Sequence, residues 1–182
     1  MEFDYIIIGA GSAGCVLANH LSSDVRNRVL LIEAGPDTGA LSLKMPAAVL
    51  SNLTSTRHNW AFQGDPEPGL DGRVIQHDRG KTIGGSSSIN GMVFIRGHAL
   101  DYDGWQQAGC PGWGYADVLP YFKRMETYGG GGDEFRGVGG PLHVHRAEPQ
   151  DPITLAFIKA GQEAGYPLTN DVSGYCQEGF GV

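Results

Sequence analysis

No run of apolar residues in this chain of 182 approaches the roughly 20 needed to cross a bilayer. Basic clusters are missing too: 13 lysines and arginines are scattered among 20 acidic residues, for a net charge of -7. Without a basic patch, nucleic acid and anionic membrane surfaces are excluded as the main partner. Cysteine is scarce, and Cys15, Cys110 and Cys176 are neither paired nor spaced as metal ligands. A reducing compartment is the simpler reading. The first buried strand is expected to begin at Asp4 or Tyr5, which leaves no room for a basic, apolar leader ahead of it. A cytoplasmic protein handling small molecules is therefore expected. With 41% hydrophobic and 18% charged residues the balance is that of an ordinary packed domain. Glycine is abundant: the 29 glycines cluster at 9–14, 80–91, 109–114 and 129–140. Such clusters mark tight turns, or backbone that a ligand approaches closely.

Tyr5-Ile6-Ile7-Ile8 is a short, β-branched run ending at Gly9, and predicts a strand buried on both faces of a parallel sheet. From Ser12 to Ser23, Ala13, Val16, Leu17 and Leu21 recur at helical spacing, and Val29-Leu30-Leu31-Ile32 predicts a second buried strand ending at Glu33. Together they form one β-α-β unit with a right-handed crossover. Residues 35–75 hold Pro36, Pro46, Pro66 and Pro68 and read as an irregular excursion with one short helix around Pro46–Leu53. Further on, Asp117 to Met125 predicts a helix with Val118, Leu119, Tyr121 and Phe122 on its apolar side. Gly129 to Gly132 predicts a flexible loop, and Leu142-His143-Val144-His145 a strand. Pro152 to Gly165 predicts a helix with proline in its first turn and glycine at its end.

Gly9-Ala10-Gly11-Ser12-Ala13-Gly14 is a G-x-G-x-x-G between a strand and a helix, and an acidic residue, Glu33, ends the next strand 22 positions after Gly11. That context is far more specific than the six letters alone. Gly9 permits the sharp turn, Gly11 lets the backbone approach a pyrophosphate, and Gly14 lets helix and strand pack closely. The helix N-terminus aims unpaired N–H groups and a partial positive charge at phosphates. Glu33, with Ala34 after it, stands where ribose hydroxyls would be bound. The motif does not separate FAD from NAD, because both present an ADP moiety.

A second glycine-rich segment, Arg79-Gly80-Lys81-Thr82-Ile83-Gly84-Gly85-Ser86-Ser87-Ser88-Ile89-Asn90-Gly91-Met92, consists of small and hydrogen-bonding residues. It closely resembles the glucose–methanol–choline (GMC) oxidoreductase family. The resemblance extends through Phe94–His98, Asp101–Trp105, Gly112–Tyr115, Gly140–Leu142 and Gln177–Gly179, and so covers residues 4 to 182. It implies an α/β, Rossmann-like FAD-binding fold of the GMC type, incomplete and corresponding to the family's N-terminal portion. Residues 1–35 would form the dinucleotide unit, 36–75 the excursion and 76–97 the flavin-contacting segment. Residues 98–182 would begin the substrate side.

FAD is the implied cofactor. Family roles beside the flavin carry over to Asn90, Gly91, Met92 and Val93, to the backbone around Arg79, Gly80, Thr82 and Gly84, and to the aromatic Trp60. Some relatives attach FAD covalently through a histidine; His77 is the candidate, against an exposed or hydrogen-bonding role. The implied reaction is oxidation of a small-molecule alcohol, with hydride passing to flavin N5 and a histidine as base. That histidine lies in a part of the family chain beyond residue 182. No catalytic residue is assigned, and the chain is expected to need a C-terminal half as partner.

Two readings follow: the flavin-binding part of an alcohol oxidoreductase, or a non-catalytic fragment that binds flavin weakly or only a partner protein. An NAD-dependent dehydrogenase leaves the second glycine-rich segment unexplained. His143 and His145 share a strand face and could pair on a metal, but no third ligand is in view.

Overall fold

The computed structural model describes residues 2–149 and 151–181. The chain divides into two compact units, Met1–Val93 and Phe94–Val182. In the first unit, strand β1 (Tyr5–Ile8), helix α1 (Ser12–Ser22) and strand β2 (Val29–Ile32) form the expected β-α-β arrangement. The strands are parallel and in register, from Tyr5 opposite Val29 to Ile8 opposite Ile32. Burial departs from expectation. Only Ile7 of β1 is buried, while Ile6 and Ile8 are 59% and 85% exposed. The run of isoleucines encodes a strand, but this sheet has two strands among the described residues, so its faces and edges stay open.

The excursion is more ordered than its prolines indicate. A short helix α2 (Leu41–Lys44) precedes a 3-10 turn at Pro46–Ala48, which runs into helix α3 (Val49–Leu53). Strands β3 (Phe62–Gln63) and β4 (Gln76–His77) then pair antiparallel, Phe62 opposite His77. Residues Gly85–Ser88 form another 3-10 turn.

The second unit opens with helix α4 (Ala99–Gln107), which lacks a clear apolar stripe and was not foreseen. Its N-terminus is closed by a reciprocal box in which His98 accepts from Leu100 N and Asp101 accepts from His98 N. Helix α5 (Tyr115–Met125) begins two residues earlier than its sequence pattern indicates. Side chains of α4 satisfy that start: Asp103 accepts from Tyr115 N and Gln106 from Gly114 N. Val118, Leu119 and Phe122 are half-buried as expected, but Tyr121 is exposed.

Strand β5 (Glu126–Tyr128) pairs in parallel with β6 (Leu142–Val144). The glycine loop between them is tied down where Lys123 Nζ donates to the carbonyls of Asp133 and Glu134. Helix α6 (Pro152–Glu163) matches its prediction: Asp151 caps it by accepting from Ile153 N, and Gly165 follows at φ +90°. Among the described residues no helix is long and apolar enough to cross a membrane.

A buried ionic cluster joins the elements of this unit. Glu126 is fully buried; its Oε1 accepts from Arg96 Nη2 at 2.5 Å and from Gly137 N at 2.8 Å, and its Oε2 lies 3.2 Å from Arg136 Nη2. Arg96 also donates to Phe135 O at 2.6 Å. Removing the carboxylate leaves the buried Arg96 guanidinium without its counter-charge and Arg136 with only the more distant Asp171, at 3.5 Å. Glu126→Ala is expected to lower the unfolding free energy by about 3–5 kcal/mol, read from urea denaturation followed by circular dichroism. A loss near that of an exposed residue would show that the arginines find water on their own.

Candidate functional site

The site lies in the first unit, where two glycine-rich segments meet. Gly9 leaves β1 at φ +95° and donates to Ile32 O at 2.7 Å, so the turn is anchored on the end of β2. A Cβ on Gly14 would collide with the Gly9 carbonyl, which makes this glycine the condition for laying α1 against the strand. Gly11, by contrast, has nothing within 4 Å of where its Cβ would stand. Among the described residues no side chain caps α1, and by helix geometry the N–H groups of its first turn lack intrahelical acceptors.

The second segment packs directly on the first. Gly84 N donates to Ala10 O at 2.6 Å. Gly85, at φ +57°, comes so close that a Cβ would stand 2.8 Å from Gly11 Cα. Thr82 is fully buried and donates its hydroxyl to Pro36 O at 2.7 Å, and Ser86 Oγ accepts from Gly80 N at 3.0 Å.

These contacts frame a cleft of about 590 Å3. Gly9, Gly11, Ser12, Glu33 and Ala34 line it from the β-α-β unit, and Arg79, Gly80, Gly85 and Ser86 from the second segment. Trp60 and Phe62 form a further wall, their rings stacked 5.7 Å apart, with the Lys81 ammonium 4.4 Å from the centre of the Trp60 ring. Glu33 accepts from Ala10 N at 2.8 Å and from Gly35 N at 2.9 Å. Two backbone donors leave a carboxylate about half its accepting capacity. Glu33 therefore braces the turn as well as facing the cleft.

The site residues read from the sequence are thus only partly brought together. Gly9, Gly11, Ser12, Glu33, Ala34, Trp60, Arg79 and Gly80 share the cleft; Ala13, Gly14, Thr82 and Gly84 do not line it. The Thr82 hydroxyl is spent on Pro36, and the residue stands behind the wall of the cleft. Asn90 and Met92 line a separate hollow of about 110 Å3 with Met45, Pro46, Val49 and Asn52, and Gly91 and Val93 line neither space.

His77 is exposed on β4, and His143 and His145 are exposed at β6. Among the described residues no three His, Cys, Asp or Glu side chains gather as a metal site. Ser86, one of three serines in a segment rich in hydrogen-bonding residues, lines the cleft, whereas Phe62 was missed. Phe62 stands two residues from Trp60, the spacing that puts side chains on one face of an extended chain, and that period could have found it.

A strand–glycine turn–helix unit with an acidic residue after the second strand, opening on a cleft shared with a second glycine-rich segment, defines a dinucleotide-cofactor protein. The GMC oxidoreductase family model matches residues 3–182. The chain belongs to the GMC oxidoreductase family, and corresponds to its N-terminal FAD-binding region. It is 54% identical to an oxygen-dependent choline dehydrogenase of Sinorhizobium fredii (strain NBRC 101917 / NGR234), over 100% of this chain and 33% of that protein. Among solved structures, pyridoxine 4-oxidase from Mesorbium loti is 37% identical with a TM-score of 0.89, covering 94% of this chain and 34% of that one. An FAD-dependent oxidoreductase from Chaetomium thermophilum is 30% identical with a TM-score of 0.83, covering 98% and 32%. The chain therefore spans about a third of the length of the relatives it matches.

Behind Arg79, Asp78 accepts from Asn59 Nδ2 and Gln76 Nε2, both at 2.7 Å. These bonds, the one from Asn59 foremost, hold its carboxyl below the usual carboxylate range, with smaller help from the charges of Arg79 and His77. A folded value below the unfolded one means that the stabilisation is complete above about pH 4 and is lost as pH falls through the lowered value. On acidification from about pH 5 to about pH 2, the urea midpoint of Asp78→Asn is expected to fall less than that of the unsubstituted chain. Equal falls would remove Asp78 from the acid response.

Proposed function

We propose that this chain holds FAD in the cleft between its two glycine-rich segments and supplies the flavin-binding part of an enzyme that oxidises the CH–OH group of a small alcohol. The observation that carries the reading is the shared cleft itself. The residues fit such a group, because Gly9 and Gly11 leave open space where side chains would stand and the first turn of α1 presents its N–H groups there.

Gly9, Gly11, Ser12, Ala13 and Gly14 would hold the pyrophosphate through backbone N–H groups. Glu33, beside Ala34, would accept from ribose hydroxyls with its remaining lone pairs. At the other end Trp60, Arg79 and Gly80 would bound the cofactor, with Thr82 and Gly84 fixing the backbone behind them. Asn90, Gly91, Met92 and Val93 would stand beside the flavin. FAD, when bound, supplies an acceptor for the hydride of the alcohol carbon at its N5. This chain's part is to bind and orient; we assign it no catalytic residue. The choline dehydrogenases among its relatives support a small alcohol of that kind as the substrate of the complete enzyme, which would also need the polypeptide that the relatives carry beyond this third.

Titrating the purified chain with FAD, followed by flavin fluorescence and absorbance, tests the reading. FAD is expected to bind and NAD not to compete. Gly11→Ala places a methyl group in ligand space without touching protein. It is expected to weaken FAD binding by tenfold or more, about 1.4 kcal/mol or greater, while costing the fold no more than about 1 kcal/mol at this N-cap. A folded chain that binds no FAD, or that binds it equally well after Gly11→Ala, would overturn the assignment.

A further inference from the structure

One side chain organises a wall of the cleft without lining it. Asn59 is 2% exposed, and its amide bonds to three separate stretches of chain. Its Nδ2 donates to Leu53 O at 2.6 Å and to Asp78 Oδ1 at 2.7 Å, and its Oδ1 accepts from Ala61 N and Arg79 N, both at 3.0 Å. A primary amide has two N–H donors and two lone pairs, so this one is fully used. Exchanging its oxygen and nitrogen would set donor against donor on the backbone side and acceptor against acceptor on the other, which leaves one orientation.

The two accepting bonds fall on either side of functional positions. Ala61 is held at φ +47°, a left-handed conformation that residues with a Cβ avoid. Its N–H is the one that Asn59 grips. The kink at Ala61 sets the direction of the chain on leaving Trp60, and Trp60 N in turn donates to Arg79 O at 2.9 Å. Trp60 and Arg79, both on the cleft, are therefore registered against each other through one buried amide.

We propose that Asn59 is a positioning residue for the cleft: by holding Ala61 in its left-handed turn and fixing the Arg79 backbone, it aims the Trp60 indole and the Arg79 side chain at the occupant of the cleft. Only the ligand-binding readout below rests on the reading of that occupant as FAD.

The 15N NMR spectrum of the full 182-residue chain contains tryptophan indole signals from Trp60, Trp105 and Trp113, and Trp60→Phe identifies the first. Asn59→Ala is expected to move the Trp60 signal to its denatured position while the other two stay. Asn59→Ala combined with Ala61→Gly is expected to bring it back, because glycine takes a positive φ without being held. Ala61→Val, with Asn59 intact, is expected to displace the signal as well, since a β-branched residue resists that conformation. FAD affinity is expected to fall about tenfold or more in Asn59→Ala, as losing a buried amide's partners implies, and to recover in the double variant.

A Trp60 signal unmoved by Asn59→Ala, or displaced but not recovered by Ala61→Gly, would overturn the positioning role. If Asn59→Ala unfolds the unit, Ala61→Val decides, and an unmoved signal there overturns the proposal. Indole signals that respond as stated in a chain binding no FAD would keep the positioning role and discard the flavin reading.

Discussion

The cleft depends on backbone lying directly against backbone. Ala10 O receives Gly84 N at 2.6 Å, and Gly85 approaches Gly11 so closely that one added carbon would close the gap. The same seam continues where Gly35 faces the Lys81 carbonyl with no room for a side chain, and where Thr82 reaches Pro36. A wall built this way presents peptide dipoles instead of side chains. Peptide N–H groups need little reorganisation to meet an anion, and at the start of α1 they add to the partial positive charge of the helix.

Elsewhere the chain is held by buried polar groups more than by an apolar centre. Among the described residues the buried apolar side chains are Ile7, Ala10, Ile89 and Val144, while Asn59, Thr82, Arg96, Glu126 and Arg136 are all buried and polar. Apolar contact is indifferent to small rotations, but a buried hydrogen bond is not. Each adds only about 1 kcal/mol when made, and a partner left unmade costs more. Asn59 in the first unit and Glu126 in the second therefore act alike: each makes one arrangement of several distant segments the only satisfied one.

That division explains what could be read in advance. The β-α-β unit was legible because its glycines answer local demands: Gly9 takes φ +95° and Gly14 meets the Gly9 carbonyl within a few residues. The exposure of β1 follows from its neighbours: a run of isoleucine specifies a strand covered on both faces, and among the described residues β2 is its one partner strand. Helix α4 escaped notice because Asp101, Asp103, Gly104, Gln106 and Gln107 break any apolar stripe, and its cap uses a histidine where serine, threonine, aspartate or asparagine is the usual signal. The bond from the Thr82 hydroxyl to Pro36 could not be read from the motif, because it joins residues 46 positions apart. Asn59 could not be found at all from local pattern, because its role exists only once Leu53, Ala61 and Asp78–Arg79 have come together.

Frame and face are thus separate residues, even when adjacent in sequence. Asn59 holds four hydrogen bonds and is hidden; Trp60, its neighbour, is 44% exposed on the cleft, and among the described residues its indole nitrogen makes no hydrogen bond. Changing the ring would alter the chemistry of the wall without unfastening it, whereas changing the amide would unfasten the wall without altering its chemistry. The buried amide sets where the wall stands, and the exposed ring sets what the wall offers to an occupant.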